Sequence, residues 1–151
     1  MTVRHAFFDL VLKSMNLGHR VLLAVTRGRR GWMIGRMPAV ELHTVGRVSG
    51  MRRATMLTSP VHRDGRWVLV ASKGGDDRDP EWYRNLVANP DVELTVRGTT
   101  LPYRARTATP AEKAELWPQI VKINPGYAGY QRKTDRDIPV VICEERTGSI
   151  G

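Results

Sequence analysis

The sequence predicts an α+β protein, built on a largely antiparallel, closed sheet of about six short strands with peripheral helices. Short apolar segments with alternating polar residues, bounded by turn residues, recur from residue 39 onward. Two segments with helical periodicity follow an Asp-Pro pair and a Thr-Pro pair, which are typical of helix starts. The 151 residues contain no internal repeat and suffice for one domain with a sizeable core.

Residues 1–36 are predicted to form a basic amphipathic helix and extension, ahead of a single domain over residues 37–151. The apolar stretches at 6–12 and 21–25 are interrupted by basic residues. No window reaches the ~18–20 apolar residues that a membrane-spanning helix needs. Two interpretations stay open: the helix covers one end of the core, or it lies on an anionic membrane surface.

The first half of the domain is predicted to contain three strands. They are the segments 39–45, 55–61 and 66–71, of which the second is weakened by Pro60. Asp64-Gly65 is a tight-turn signal between the last two.

The second half alternates between helices and strands. Asp79-Pro80 is predicted to cap a helix over 81–88 that stops at Asn89-Pro90. Thr109-Pro110 is predicted to cap a second helix over 111–123, which Pro118 is expected to bend. The remaining predicted strands are 92–96, 101–107 and 140–144.

The positive charge is concentrated in the first third of the chain. Residues 1–53 hold ten Lys and Arg against two acidic residues, whereas residues 54–151 hold fourteen against thirteen. This distribution predicts an anionic ligand or surface. A nucleic-acid-binding barrel is disfavoured, because the strands are nearly neutral and carry no aromatic residues interleaved with Lys and Arg.

The cysteine content indicates a reducing compartment and predicts a cytoplasmic protein. Cys143 is the only cysteine and lies in an apolar run, so an internal disulfide is impossible and a buried structural thiol is expected. The sequence predicts no metal site.

Three stretches carry the candidate chemistry. Residues 44–53 combine two glycines, three arginines and a serine, which suits a phosphate, although a plain basic hairpin loop is the alternative. Residues 71–75 follow a strand with glycines and a lysine, a pattern that presents N–H donors to an anion or a ring edge. Residues 124–131 contain two tyrosines three apart, which suit stacking on a planar ligand or proton donation, or simple packing.

These stretches, together with Trp117-Pro118-Gln119 and Thr134-Asp135-Arg136, resemble the deazaflavin-dependent nitroreductase family of actinobacteria over about residues 40–144. The resemblance implies a split β-barrel like those that bind FMN. It also implies use of reduced coenzyme F420, a deazaflavin with a phosphate and an oligoglutamate tail. Two residues depart from the family pattern. Val48 replaces a basic residue, and Asn124 stands where nitroimidazole-reducing members carry a tyrosine.

The resemblance also implies the site residues. The cofactor would be bound by Arg47, Val48, Ser49, Gly50, Arg53, Thr55, Ala71, Ser72, Lys73, Gly74, Gly75, Trp82 and Asn85. Ser72, Tyr127 and Tyr130 would face the substrate as catalytic residues.

The expected activity is hydride transfer from reduced F420 to an electron-poor small molecule such as a quinone, an activated enone or a nitro compound. The alternatives are an FMN-dependent reductase on the same barrel and a non-catalytic deazaflavin carrier. A monomer or a homodimer is expected, in the cytoplasm, with peripheral contact to the inner membrane face left open.

Overall fold

The computed structural model describes residues Met33–Ile34 and 37–146. The amphipathic helix predicted within residues 1–36 lies outside these residues. None of the helices in the described part of the chain is long and apolar enough to cross a bilayer.

Eight strands, three α-helices and one 3₁₀ turn make up the described residues. The strands are β1 Met33–Ile34, β2 Met37–Val45, β3 Arg52–Thr58, β4 Val61–Arg63, β5 Arg66–Val70, β6 Asp91–Val96, β7 Thr99–Thr107 and β8 Val140–Glu145. The helices are α1 Glu81–Ala88, α2 Pro110–Ile123 and α3 Gly126–Arg132, and the 3₁₀ turn is Lys73–Gly75.

The strands form one curled antiparallel sheet, which confirms the predicted α+β class. The order along the sheet is β1-β2-β6-β7-β8-β5-β4, and β3 pairs with the other edge of β2. Every pairing is antiparallel. β3 lies beside β2, near one end of the sheet, and β4 lies at the other end. Because these two strands follow one another in the chain, the short segment between them connects the two parts of the sheet.

Ser59 ties these two parts together. Its backbone N–H donates to the Pro38 carbonyl oxygen in β2 at 3.0 Å. Its hydroxyl lies 2.9 Å from the Val61 carbonyl oxygen and 2.8 Å from that of Val68 in β5. The side chain is fully buried. Hydrogen bonds from the Ser59 backbone and side chain, and not a ladder of paired strands, therefore join β2 to β5 at this point and hold the sheet in its curled shape.

Two apolar clusters form the core, one on each side of β5 and β8. The first lies inside the curled sheet and is closed by α1, which contributes Trp82 and Leu86. The second lies between the sheet and the helices α2 and α3, with Ile120 and Tyr127 as their buried residues. Neighbouring residues of β5 and β8 alternate between the clusters, as the period of two in a strand requires. Cys143 belongs to the first cluster and is fully buried, which confirms the structural thiol and raises its pKa to about 12.

The predicted bounds of the first helix, 81–88, are confirmed, but its predicted cap and the bounds of the second strand are wrong. The second strand was expected over 55–61, but β3 begins at Arg52 and ends at Thr58, and the chain resumes as β4 after Pro60. Pro60 lacks the N–H that would continue the ladder. Asp79 was expected to cap α1, but the cap position is Pro80 without a side-chain bond, because the Asp79 carboxylate accepts from Arg136 instead.

The start of the second helix is confirmed. The Thr109 hydroxyl accepts from the Glu112 backbone N–H, and the Glu112 carboxylate accepts from the Thr109 N–H, which completes a capping box. The helix α2 continues through Pro118 to Ile123. A further helix, α3, follows over Gly126–Arg132 and was not predicted.

Candidate functional site

The loop between β2 and β3, residues 46–51, is here called the arginine loop. The Gly46 N–H donates to the Met51 carbonyl oxygen, and the Gly50 N–H donates to the Gly46 carbonyl oxygen, both at 2.8 Å. Gly50 has a φ of 70°, the left-handed region that glycine adopts without strain. The predicted phosphate loop is therefore an ordered turn.

The other predicted residues of this region lie around that turn. The Ser49 hydroxyl accepts from the Met51 backbone N–H at 3.1 Å and lies 3.5 Å from Arg53 Nη2. Thr55 is half-buried and shares a face of β3 with Arg53, two residues away. Val48 is 92 % exposed. The serine and arginine thus lie side by side, while Val48 stands in solvent.

Arg47 is held against α1. The Asn85 side-chain oxygen accepts from the Arg47 backbone N–H at 3.2 Å and from its Nη1 at 2.9 Å. The same Nη1 lies 2.8 Å from a Glu81 carboxylate oxygen. Asn85 is buried on the inner face of α1 beside Trp82 and Leu86. Trp82 itself packs in the first core cluster.

The second predicted loop, residues 71–76, is here called the glycine loop. Lys73, Gly74 and Gly75 have φ values of 45°, 62° and 86°, so three consecutive residues are left-handed. Ala71 and Ser72 are buried, and the Ser72 carbonyl accepts from the Gly75 N–H at 2.9 Å. The loop therefore turns sharply as it leaves β5.

Gly75 packs directly against α3. A Cβ atom at this position would lie 2.8 Å from the Tyr130 carbonyl oxygen and 3.0 Å from the Lys133 Cβ. Only glycine allows this close approach of two backbones at a positive φ. The structure thus brings the glycine loop and the tyrosine-bearing helix together, as the predicted site requires.

The guanidinium of Arg136 holds the glycine loop by hydrogen bonds to three of its carbonyl oxygens. Its Nε donates to the Asp76 carbonyl at 2.8 Å, its Nη2 to the Ser72 carbonyl at 2.8 Å, and its Nη1 to the Ala71 carbonyl at 3.1 Å. Nη1 also donates to the Asp79 carboxylate at 3.0 Å. The planar fork of arginine suits several acceptors at once.

The role of Arg136 was missed in the sequence. Its partners in the loop are 60 to 65 residues away, and no local pattern of charge or spacing marks such a contact. Thr134-Asp135-Arg136 belongs to the matched motifs, and this was the only available signal.

The arginine loop contacts the start of α1 at Glu81. Burial raises the Glu81 pKa, but the hydrogen bond from Arg47 and the charges of Arg47, Arg84 and Lys73 together lower it below its ordinary value. Lys73 of the glycine loop therefore acts on the same carboxylate that Arg47 of the arginine loop contacts. Two of the predicted cofactor cations, Arg47 and Lys73, therefore act on one carboxylate.

The two predicted catalytic tyrosines lie on α3 with their rings edge-to-face, 6.0 Å apart. Tyr127 is buried in the second core cluster, and its hydroxyl lies 3.4 Å from the Thr58 hydroxyl. Burial raises the pKa of the Tyr127 phenol above its usual value. Tyr130 is half-buried, with the Lys133 ammonium 5.7 Å from its ring centre. The two phenols therefore have different environments.

Asp76, the last residue of the glycine loop, forms an ion pair with Arg78. Its carboxylate accepts from the Arg78 backbone N–H at 2.8 Å and from the Arg78 Nε at 3.1 Å, and only 3 % of its side chain is exposed. Burial raises the Asp76 pKa, but the hydrogen bonds and charge of Arg78, with the charge of Lys73, lower it from 3.8 to about 2.

We expect Asp76 to stabilise the fold at neutral pH by about 2 kcal/mol, a contribution lost in acid. The folded pKa lies below the unfolded one, so the contribution is present above about pH 4 and disappears as the pH falls towards 2. Urea unfolding of the wild type and Asp76→Asn should therefore differ at neutral pH and converge in acid. A difference that is constant with pH would contradict this assignment.

The chain is similar to known proteins over most of its length. The family model for F420H(2)-dependent quinone reductase matches residues 19–145. An F420H(2)-dependent quinone reductase of Mycobacterium tuberculosis is 43% identical over 134 residues, covering 85% of this chain and 88% of that protein.

Solved structures show the same relationship. The structure of an F420-H2 dependent reductase is 42% identical, with a TM-score of 0.64 over 71% of this chain and 94% of that one. A structure described as a domain-swapped dimer is 37% identical, with a TM-score of 0.67 over 85% and 96%. A heme storage protein from Vibrio cholerae, at 16% identity and a TM-score of 0.53, shares the fold alone. By the extent of the family match and the identity to its relatives, this chain belongs to the F420H(2)-dependent quinone reductase family.

Proposed function

We propose that this protein transfers a hydride from reduced coenzyme F420 to a quinone. The observation that carries the proposal is the position of Arg47, whose guanidinium contacts Asn85 and Glu81 at the start of α1. The charge of Lys73 in the glycine loop also acts on Glu81. In a chain of this family, these cations offer a place for the anionic part of the cofactor.

The residues present fit the cofactor. Its phosphate and glutamate tail are anionic, and Arg47, Arg53 and Lys73 supply cations around two ordered loops. The left-handed turn at 73–75 leaves the backbone of the glycine loop close to any ligand beside it, since two of its three residues lack a side chain. The residues proposed to contact the phosphate also include Ser49, Gly50 and Thr55. Ser72 is proposed to lie beside the deazaflavin ring.

The chemistry follows from this placement. Reduced F420 supplies the hydride when bound. The protein contributes position: Asn85 holds Arg47, Arg136 holds the glycine loop, and α3 packs against that loop at Gly75. Proximity and orientation of this kind account for a large share of the rate in a two-reactant transfer. Activated enones share the electron-poor carbon of quinones, and we propose them, with nitro compounds, as further acceptors.

Tyr130 is the better-placed proton donor of the two tyrosines. Tyr127 is buried and holds its proton more tightly, whereas Tyr130 is half-buried beside the glycine loop. Tyr130→Phe should lower kcat for quinone reduction by about tenfold or more, with the dissociation constant of F420 unchanged. Tyr127→Phe is the matched control and should change kcat less. Equal turnover in both variants and the wild type would remove the tyrosines from the reaction.

A parallel fluorescence titration of the purified protein with oxidised F420 and with FMN tests the cofactor assignment. Saturable binding of F420 in preference to FMN is the expected result. Preferential binding of FMN would replace the cofactor. Tight F420 binding without accelerated hydride transfer would identify a carrier instead of an enzyme.

We also propose peripheral contact with an anionic membrane, which the basic amphipathic sequence of residues 1–36 supports. Co-sedimentation of the full chain with vesicles rich in anionic lipid, and not with neutral vesicles, is expected. Equal recovery with both vesicles would contradict the proposal.

A further inference from the structure

We infer that the Glu81 carboxylate competes with the anionic group of the cofactor for Arg47. The carboxylate therefore lowers the affinity of the site for the cofactor, and its removal raises that affinity. The inference rests on the proposed function, because it concerns the same cations. Glu81 and a bound phosphate would be drawn to one guanidinium, that of Arg47.

Glu81 is not required to position Arg47. The buried Asn85 side chain already accepts from both the backbone N–H and the Nη1 of Arg47. Asn85 is in turn fixed by the inner face of α1, between Trp82 and Leu86. The guanidinium therefore keeps an anchor when the carboxylate is removed.

Glu81 is also easy to displace. Its side chain is 67 % exposed, and its second contact, to Arg84, is 3.5 Å long at the protein surface. Exposed ion pairs of this kind contribute little net stability. An incoming phosphate, which carries more charge than a carboxylate and more acceptor oxygens, can take its place.

The negative charge of Glu81 lies beside the Arg47 guanidinium. The hydrogen bond from Arg47 and the charges of Arg47, Arg84 and Lys73 outweigh the effect of burial and hold the Glu81 pKa below its ordinary value, so that the group is ionised at neutral pH. It therefore cancels part of the positive potential that Arg47 and Lys73 would offer to an anion.

Removal of Glu81 is expected to raise the affinity for the cofactor whichever nitrogen of the Arg47 guanidinium the phosphate binds. Nη1 of Arg47 contacts both Asn85 and Glu81. A phosphate that binds Nη1 must displace the carboxylate. A phosphate that binds Nε or Nη2 is repelled by the carboxylate beside it. In both cases removal of the charge strengthens binding.

Glu81→Gln tests the inference with oxidised F420 as the probe. We expect its dissociation constant to fall by about three- to tenfold at low salt, with a smaller gain as salt screens the charges. Glu115→Gln changes the net charge equally on the exposed surface of α2 and should leave the affinity unchanged. In an Arg47→Met background, Glu81→Gln should gain less than in the wild type.

The outcomes separate this inference from the proposed function. Binding by the wild type with equal or weaker binding by Glu81→Gln would overturn the inference and make Glu81 a positioning residue for Arg47. An equal gain in Glu115→Gln would also overturn it, since net charge alone would then explain the effect. Absence of F420 binding by the wild type would instead overturn the proposed function, and with it this inference.

Discussion

Replacing Arg136 with alanine is expected to weaken F420 binding by about tenfold or more and to lower the free energy of unfolding by about 3 kcal/mol. The guanidinium donates to three carbonyls and one carboxylate, and only 15 % of the side chain is exposed. Its loss leaves these acceptors without a charged donor and frees the glycine loop. Titration with F420 and urea unfolding measure the two effects.

Two further variants isolate the role of the guanidinium. Arg136→Lys keeps the charge but cannot span the separated acceptors, so we expect it to recover only part of the affinity. Arg132→Ala removes an exposed arginine from the end of α3 and should change neither quantity. If Arg136→Ala loses stability but binds F420 like the wild type, the residue stabilises the fold without positioning the site.

Replacing Gly75 with alanine is expected to cost about 3 kcal/mol of stability, of which the left-handed backbone accounts for about 1 kcal/mol. The remainder comes from contact, because the new Cβ would lie 2.8 Å from the Tyr130 carbonyl oxygen. Backbone atoms on both sides must then move apart. We expect F420 affinity to fall as well, since the same contact holds the glycine loop against α3.

Gly98→Ala is the matched control. Gly98 has a φ of 80°, close to the 86° of Gly75, but no heavy atom lies within 4 Å of its would-be Cβ. The Gly98→Ala variant should lose only the about 1 kcal/mol of stability that comes from the left-handed backbone, and its F420 binding should be unchanged. Equal losses of stability in both variants would show that the contact with α3 contributes nothing.

Much of the fold was predictable because it depends on local patterns. The strand β6 alternates polar and apolar side chains, and α2 opens with a capping box, so both were found. One error arose where a distant contact overrides a local preference. Asp79 has the sequence signature of a helix cap, but its carboxylate binds Arg136, 57 residues away.

The candidate site was predictable in part for the same reason. The glycines of the two loops signal unusual backbone in the sequence itself, and the structure has Gly50, Gly74 and Gly75 at positive φ. The family resemblance supplied the cofactor. Neither source could supply Arg136 or Glu81, since the significance of each depends on which loops the fold brings together.

The oxidation of reduced F420 by a soluble quinone in the presence of this protein tests the central claim most directly. The reaction is followed by the return of the absorbance of oxidised F420. The account predicts turnover that depends on protein concentration, saturates with both reactants and falls in Tyr130→Phe. A rate no faster than that of F420 and quinone without protein would contradict it.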